Sequence, residues 1–464
     1  MIQRSLQRLS QLAAIAITLA ACVPQGDLQP STRARPPHHT MPEIGADLMA
    51  APAAPPAAMP SNAQIARDFL DLTFALETGR DLQYFSRFEG PVSITLAPGA
   101  PSGAREELER LVARLRSEAG LSVTTAPGQA NRITVAFVSE RQLQSSVPNA
   151  ACFVAPNVDG WDDFRRNRRG GTTDWTQVTT RRLASVFIPT NAAQQEIRDC
   201  LHEELSQALG PLNDLYRLPY SVWNDDNFHT VLTRFDMLIL RAYNAPELRP
   251  GMTEGAVAAQ LPTVLSRLNP GGGPVFETYS SPTPRAFISA IEAALGAQSN
   301  PSRRLGAAQE ALSIARAEGW HDTRAAFAWF ALGRLAMRDD PQGAVQALSN
   351  ARAIYTNIPG TAIHIAHVDV QLAAVALGTG RTEQALTLAD RALPAAQAAQ
   401  NGALIATIQL IRAEALARLG QAEAARQARL DSTNWARYGF GSDAAARARA
   451  TEIALLAKAG AQVN

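Results

Sequence analysis

The sequence predicts an α+β domain in the middle of the chain, followed by an all-α domain of repeated helices. Three observations predict this order. Between about residues 63 and 280, stretches with helical spacing alternate with short runs of β-branched residues. From about residue 284, the composition shifts to Ala, Leu, Arg and Gln, which favour helix. Within that second region, a similar pattern returns about every 40 residues.

The composition narrows the class of protein before any motif is considered. A chain of 464 residues has room for two or three domains, and its hydrophobic fraction of 46% is too high for a disordered chain. Its 43 basic residues nearly balance its 42 acidic residues, which gives a net charge of +1. Proteins that bind nucleic acid usually carry a basic excess. We therefore expect no nucleic-acid partner.

Residues 1–22 are typical of an export signal, with Arg4 and Arg8 before the apolar run 12–21. That run is too short to span a bilayer. The signal ends in Leu-Ala-Ala-Cys at Cys22, which resembles the bacterial lipobox. The resemblance implies lipidation of Cys22 and, since Val23 follows, an outer-membrane anchor that faces the periplasm. An ordinary signal peptide with a chance cysteine is the alternative.

Residues 23–62 are rich in Pro and Ala and lack Phe, Trp and Tyr, so we expect a tether without a core. If Cys22 is lipidated, Cys152 and Cys200 remain as an even number of cysteines in an oxidising compartment. We expect a disulfide between them. Two buried free thiols are the alternative.

The middle domain, residues 63–280, is predicted from a regular succession of elements. Helices are predicted at 63–77 and 104–119, the second ended by Gly120. Strands are predicted at 92–96, 133–138, 150–154 and 184–188, with a loop at 159–178. A helix capped by Thr190 follows the last strand and ends at Gly210.

This order of elements resembles the upper half of a zincin-type metallopeptidase, in which the last helix carries the active site. Zincins have H-E-x-x-H there, and metzincins extend it with x-x-G-x-x-H. The helix here reads Cys-Leu-His-Glu-Glu-Leu-Ser-Gln-Ala-Leu-Gly over 200–210. One register aligns His202 and Glu203 with the H-E pair, which leaves Ser206 in place of the second histidine. The other register is anchored on Gly210 and aligns Glu203, Glu204, Gln207 and Asn213 with the motif.

A helical wheel favours the second register. At 100° per residue, Ile197, Leu201, Leu205 and Ala208 form the apolar face, whereas His202 and Ser206 point to the opposite side. Glu204 lies at the edge of the apolar face, where an unpaired carboxylate is costly unless it lines a cleft.

The second register makes Glu204 the candidate general base. Its candidate metal ligands are Glu203, Gln207, Asn213 and the adjacent Asp214. Neutral amides are poor zinc ligands, and both motif histidines are missing. Any zinc or other divalent metal is therefore expected to bind weakly.

Several stretches are similar to a family of proteobacterial lipoproteins, the domain of unknown function family 2927. They are residues 200–216, 221–227, 232–236 and 248–252, within a match of about 90–260. This resemblance implies no particular reaction.

Four further residues are candidates for lining the same cleft. They are His202, Asp225, Asp226 and Met252. Each has a simpler structural explanation. His202 would lie at the surface or behind the site, and Asp225 or Asp226 would cap a helix over 227–243. Met252 either forms a Met-turn beneath the active-site helix or follows a surface turn into the core.

Residues 281–464 are predicted to form a helical repeat domain. Ala344, Ala385 and Ala425 align at steps of 41 and 40 residues, with turns near Asp340, Gly380 and Gly420. The pattern resembles tetratricopeptide repeats of longer than usual period, closed by a helix over about 442–459. The resemblance implies a groove for a protein or peptide partner. The alternative is that these helices only pack against the middle domain.

The sequence therefore leaves two alternative functions open. The first is a periplasm-facing scaffold or adaptor with a degenerate zincin-like domain and a partner-binding repeat module. The second is a metal-dependent, peptidase-like hydrolase with Glu204 as general base.

Overall fold

The computed structural model describes residues 59–148, 150–273, 281–296 and 300–461. The predicted signal segment, the lipidation site Cys22 and nearly all of the predicted tether lie outside these residues. Within the described part of the chain, no helix is long and apolar enough to cross a membrane.

The first half of the structure is an α/β domain built around a five-stranded mixed sheet. Its strands are β1 (Val92–Leu96), β2 (Val123–Thr124), β3 (Asn131–Val138), β4 (Phe153–Pro156) and β5 (Leu183–Pro189). Their order is β2-β1-β3-β5-β4, and β4 at the edge is the antiparallel strand. The register pairs Ile94 with Ile133 and Val135 with Val186. These β-branched residues are fully buried, because helices cover a parallel sheet.

Seven helices belong to this half. They are α1 (Asn62–Thr73), α2 (Ala104–Glu118), α3 (Glu140–Ser146), α4 (Trp161–Asn167), α5 (Gln194–Leu209), α6 (Arg234–Tyr243) and α7 (Glu254–Leu268). Helix α5 packs on β4 and β5 and against α2, whereas α1 packs against α7. The helix that carries the candidate site is therefore central to the domain.

The predicted disulfide is confirmed. Cys152 and Cys200 are bonded, with Cα atoms 6.0 Å apart. Cys152 directly precedes β4, and Cys200 lies in the middle of α5. The bond therefore fastens the antiparallel edge of the sheet to the helix that carries the candidate site.

Several predicted element boundaries were wrong, and each has a local cause. The first helix ends at Thr73 because the chain turns back through Gly79, whose φ is +78°. Thr190 caps no helix, since its N–H donates to Val138 O and extends the sheet. Helix α5 begins at Gln194, with the Glu196 carboxylate accepting from Ala193 N at 3.2 Å. The predicted loop 159–178 contains α4 and two short 3-10 turns.

The second half is an all-helical repeat region. Its helices are α8 (Arg285–Leu295), α9 (Pro301–Ala317), α10 (Thr323–Ala336), α11 (Pro341–Thr356), α12 (Ala362–Gly378), α13 (Thr382–Ala398), α14 (Gly402–Arg418), α15 (Ala422–Phe440) and α16 (Asp443–Ala461). They pack as the pairs α8/α9, α10/α11, α12/α13 and α14/α15, and α16 packs on α12, α14 and α15.

The predicted period matches these helix pairs. Ala344, Ala385 and Ala425 are each the fourth residue of the second helix in a pair, and each is at most 1% exposed. Gly380 and Gly420 occupy the turns between paired helices with φ of +79° and +75°. Small residues therefore recur where paired helices approach one another closely.

The two halves pack against each other over a shared apolar cluster. Tyr216 and Phe228, from the α/β half, belong to the core of the helical region. The Tyr216 ring lies 5.9 Å from that of Phe287, and Thr323 Oγ1 donates to Tyr216 O at 3.1 Å. The first helices of the pairs therefore face the α/β domain of the same chain. Packing against the middle domain is the alternative to a partner groove that the sequence left open.

Candidate functional site

Helix α5 is enclosed by protein on almost all sides, although many of its side chains are polar. Its buried residues include most polar positions from Gln195 to Gln207. Near its start, Gln195 Nε2 donates to Asn401 Oδ1 at 3.1 Å, and Arg198 Nη1 donates to Gln400 O at 2.6 Å. The helical region thus covers the side of α5 that does not face the sheet.

This enclosure corrects the orientation predicted for His202. The side chain is only 5% exposed, and its Nδ1 accepts from Leu232 N at 3.1 Å. Burial, with Arg198 and Arg114 nearby, lowers the pKa of His202 well below its usual value, so the imidazole is neutral. His202 therefore positions the 232–233 backbone and does not join the candidate catalytic residues. Ser206 is likewise buried, where its Oγ accepts from Trp223 Nε1 at 3.1 Å.

A buried arginine that the sequence analysis missed holds the C-terminal end of α5. Arg181 is 2% exposed and donates from Nη1 to the carbonyls of Gln207 and Ala208, each at 2.8 Å. Its Nη2 donates to Tyr243 Oη at 2.9 Å. A cation at this end of a helix complements the helix dipole. Arg181 therefore fixes the turn of α5 that carries Gln207.

Five carboxyl groups gather beside this turn, and together they form the acidic cluster. They are Glu77, Glu203, Glu204, Asp214 and Asp225. Glu203 and Glu204 come from α5, whereas Asp214 and Asp225 come from the segment that follows it. Glu77 lies in the turn after α1 and is exposed; no sequence motif marked it. The fold thus brings Glu77 next to carboxyl groups that lie far from it in the sequence.

The Gln207 amide bridges two members of the acidic cluster. Gln207 Nε2 lies 3.1 Å from Glu77 Oε1 and 3.3 Å from Asp214 Oδ2 and donates to both. The charge of Glu77 also raises the pKa of Asp214, so these two carboxyl groups act on each other across the Gln207 amide.

Burial and mutual repulsion raise the pKa of four carboxyl groups of the acidic cluster, those of Glu203, Glu204, Asp214 and Asp225. Burial, followed by the charges of Glu77 and Asp225, raises the pKa of Glu203 to about 8. Burial, followed by Glu77 and Glu292, raises the pKa of Asp225 to about 7. Burial, followed by the charges of Glu203 and Glu77, raises the pKa of Glu204 well above its usual value. Burial, followed by the charges of Glu77 and Asp225, does the same for Asp214. Carboxyl groups with strongly shifted pKa values that cluster together are typical of functional sites.

The residues at the predicted metal-ligand positions do not fit zinc. Gln207 donates its amide N–H to carboxylates, and Asn213 Nδ2 donates to Asp71 O at 2.9 Å. Zinc sites in proteins use Cys, His and carboxylate ligands in a tetrahedral arrangement. Within the residues that the structure describes, no three or more such side chains are grouped closely enough to hold a metal ion. Glu203 and Asp214 lie near each other, but they do not complete a ligand set.

Met252 forms part of a turn and of the core. Its sulfur accepts from Arg249 N at 3.1 Å, and its half-buried side chain packs on the apolar core of the α/β domain. These contacts agree with the simpler of its two explanations, a surface turn followed by a core methionine.

Asp225 and Asp226 do not cap the following helix, which corrects the prediction of a helix over 227–243. Helix α6 begins at Arg234 because Thr233 and Asp236 form a capping box, with Thr233 N donating to Asp236 at 2.7 Å. Asp226 instead accepts from Phe228 N at 3.1 Å.

The same aspartate ties the two halves of the chain together. Asp226 Oδ2 lies 3.0 Å from Nε2 of His364 in α12, and both side chains are buried. Next to it, the ring of Phe228 enters the helical region, with its centroid 4.7 Å from that of His364 and 5.3 Å from that of Phe330. The loop between α5 and α6 therefore carries both the interdomain contact and two members of the acidic cluster, Asp214 and Asp225.

Comparisons with known proteins give a family but no activity. No curated protein matches the chain, and no solved structure matches it. The family described as "Protein of unknown function (DUF2927)" matches residues 62–263, which span the described α/β domain from α1 into α7. The chain therefore carries, over residues 62–263, a domain that belongs to the DUF2927 family.

Proposed function

We propose that this protein is a scaffold or adaptor for protein partners, in which a zincin-like domain has lost zinc chemistry. The proposal rests on one observation. The side chains at the positions of the zincin motif form hydrogen bonds to other groups of the protein. Gln207 bridges Glu77 and Asp214, Asn213 binds the backbone of α1, and His202 binds Leu232 N. The order of elements supports the zincin-like identity: a long helix follows the last strand, and this helix packs on the sheet.

The helical region is proposed to be a tetratricopeptide-like module. Its antiparallel pairs and its period of about 40 residues support this proposal. One side of the helical region faces the α/β domain, and there it already packs on Tyr216 and Phe228. A partner on that side would therefore bind beside these two residues. We therefore propose that partners bind where the two halves meet, next to the acidic cluster.

The cellular location is proposed from the N-terminal sequence. Lipidation of Cys22 would anchor the protein to the outer membrane, facing the periplasm. The Cys152–Cys200 disulfide supports an oxidising compartment of this kind.

A photocrosslinking experiment in cells tests the scaffold proposal. A photoreactive residue replaces exposed Thr78, next to the acidic cluster, or, as a control, exposed Glu109 on α2. We expect position 78 alone to give a discrete adduct, and the purified partner to bind the full chain with saturable one-to-one stoichiometry. Absence of such a partner, together with peptide hydrolysis that is lost in Glu204→Gln, would contradict the proposal.

The hydrolase is the second candidate, and one observation favours it. Glu204 is 5% exposed, so its carboxyl is almost entirely removed from water. A buried carboxyl with a strongly shifted pKa is costly and is often retained for function. Since the pKa of Glu204 is raised by burial, this group would donate a proton as a general acid, and the predicted role as general base is disfavoured.

A further inference from the structure

Three histidines gather around one aromatic ring where the two halves meet, and together they form the histidine cluster. They are His229, from the loop between α5 and α6, and His364 and His367, from α12. The ring centroids of His364 and His367 lie 4.7 Å and 4.6 Å from that of Phe228. The centroid of His229 lies 5.7 Å from that of His364. The interface thus contains three groups that can gain a positive charge in mild acid.

The histidine cluster is enclosed, and several of its polar atoms lack partners. His364 and His367 are 0% and 7% exposed, whereas His229 is half-buried. Among the described residues, His364 Nδ1, His367 Nε2 and Tyr355 Oη are buried and find no hydrogen-bond partner. The Tyr355 ring lies 4.9 Å from that of His364, so these atoms belong to one region. Native proteins pair nearly all buried polar atoms, and a group of exceptions therefore calls for a functional explanation.

The charges on the neighbouring elements disfavour protons on the histidine cluster. Asp226 is the carboxylate that contacts it, with Oδ2 3.0 Å from His364 Nε2. Arg334 of α10 acts on His367 with a positive charge. Tyr355 of α11 contributes a phenol, which is neutral in acid. Protonation of all three imidazoles would therefore add more positive charge than Asp226 can balance.

On the side of α5, the histidine cluster borders a cavity. Asp199 and Glu203 of α5 line it on one side, and His229 lines it on the other. Asp199 is already paired with the arginine that precedes it. The pKa of Glu203 is raised to about 8, mainly by burial, so this group is uncharged in acid. The carbonyls of Gly360 and Pro219 also face the His229 ring and favour its charged form. The cavity therefore gives protons from solvent access to His229.

The closed interface keeps two of the imidazoles neutral. Burial, followed by the charge of His364, lowers the pKa of His229 to about 4, although Asp226 opposes the shift. Burial, followed by the charges of His364 and Arg334, lowers the pKa of His367 to about 3. A solvated histidine has a pKa of about 6.5. An opened interface would therefore bind protons that the closed one excludes, so opening is favoured increasingly as the pH falls from about 6.5 to about 4.

We propose that the contact between the two halves is a pH-sensitive switch, which is closed at neutral pH and opens when the histidine cluster is protonated. Opening would separate Phe228 and His229 from α12 and break the contact between Asp226 and His364. Each half would keep its own apolar core, because the α/β core and the helical core are separate clusters. Exposure of the proposed partner site is a consequence that rests on the scaffold function, whereas the opening itself does not.

Small-angle X-ray scattering and circular dichroism of the full chain between pH 7.5 and pH 4 test the switch. As the pH falls below about 6, we expect the radius of gyration to rise while the helical signal is retained. His229→Gln/His367→Gln should lower the midpoint of this expansion by at least about one pH unit. His321→Gln, which removes an exposed histidine outside the cluster, should leave the midpoint unchanged. Equal midpoints in the wild type and the double variant would overturn the inference.

Hydrogen exchange of the wild-type chain tests the switch without a variant. At pH 5, after correction for the intrinsic effect of pH, amides of the loop 221–231 should exchange at least 10-fold faster than at pH 7, whereas those of β1, β3 and β5 should not. Equal loss of protection in the sheet would indicate general acid unfolding and overturn the inference. If position 78 crosslinks to a partner but the halves stay closed in acid, only this inference fails. If the halves open but no partner exists, only the scaffold function fails.

Discussion

Replacing Phe228 by alanine is expected to lower the free energy of unfolding by about 3–5 kcal/mol, the usual cost of removing a buried aromatic ring. Phe228 is 2% exposed, although it lies in an irregular loop of the α/β half. Its ring lies within 6.4 Å, between centroids, of five rings from the helical region: Phe327, Phe330, Tyr355, His364 and His367.

The loss of this ring should also weaken the coupling between the two halves. We expect the wild-type chain to unfold in one transition and Phe228→Ala to unfold in two. Urea denaturation followed by circular dichroism and by tryptophan fluorescence measures both effects. Tyr84→Ala, which removes a ring that is 44% exposed, is the control and should cost less than about 1 kcal/mol. A single transition with an equally small loss in Phe228→Ala would show that the halves are joined elsewhere.

Replacing Glu203 by glutamine is expected to stabilise the protein in alkaline solution and to leave its stability unchanged in acid. The folded protein raises the pKa of Glu203 to about 8, from a usual value of about 4.5. Below the lower value, both folded and unfolded chains hold the proton. Between the two values, only the folded chain holds it, so the free energy of unfolding falls as the pH rises. Above the upper value, this loss is complete.

We expect Glu203→Gln to gain about 2 kcal/mol at pH 9, a figure reduced for the partial solvent exposure of this side chain. Thermal denaturation between pH 4 and pH 9 measures the effect, which should vanish near pH 4. Glu109→Gln, on the exposed face of α2, is the control and should show no pH-dependent gain. Destabilisation by Glu203→Gln at high pH would indicate that the carboxylate is paired with a cation in the folded protein.

The features predicted correctly from the sequence depend on local pattern. The β-branched runs at 92–96 and 133–138 form parallel strands because their side chains are buried on both faces. The repeat was visible because Ala344, Ala385 and Ala425 meet the same packing requirement in successive helix pairs. The disulfide was predictable from the even number of cysteines that remain after Cys22.

The features missed from the sequence depend on tertiary enclosure. A helical wheel assumes one solvent-facing side, but the helical region covers that side of α5 and buries His202 and Ser206. Glu77 joins the acidic cluster only because α1 ends early and the chain turns back at Gly79.

The interdomain residue His364 was missed for the same reason. No local pattern connects His364 to Asp226, which lies 138 positions away in the sequence. Both the acidic cluster and the interdomain contact could therefore be recognised only in the folded structure.

The metal content of the purified full chain tests the central claim most directly, namely that the turn of α5 beside the acidic cluster is not a zinc centre. Elemental analysis after mild dialysis is compared between the wild-type chain, Glu203→Gln and Asp214→Asn. The account predicts well under one transition-metal ion per chain in all three proteins, each of them folded. Close to one zinc per wild-type chain, lost in both variants, would contradict it and restore the metal-dependent hydrolase.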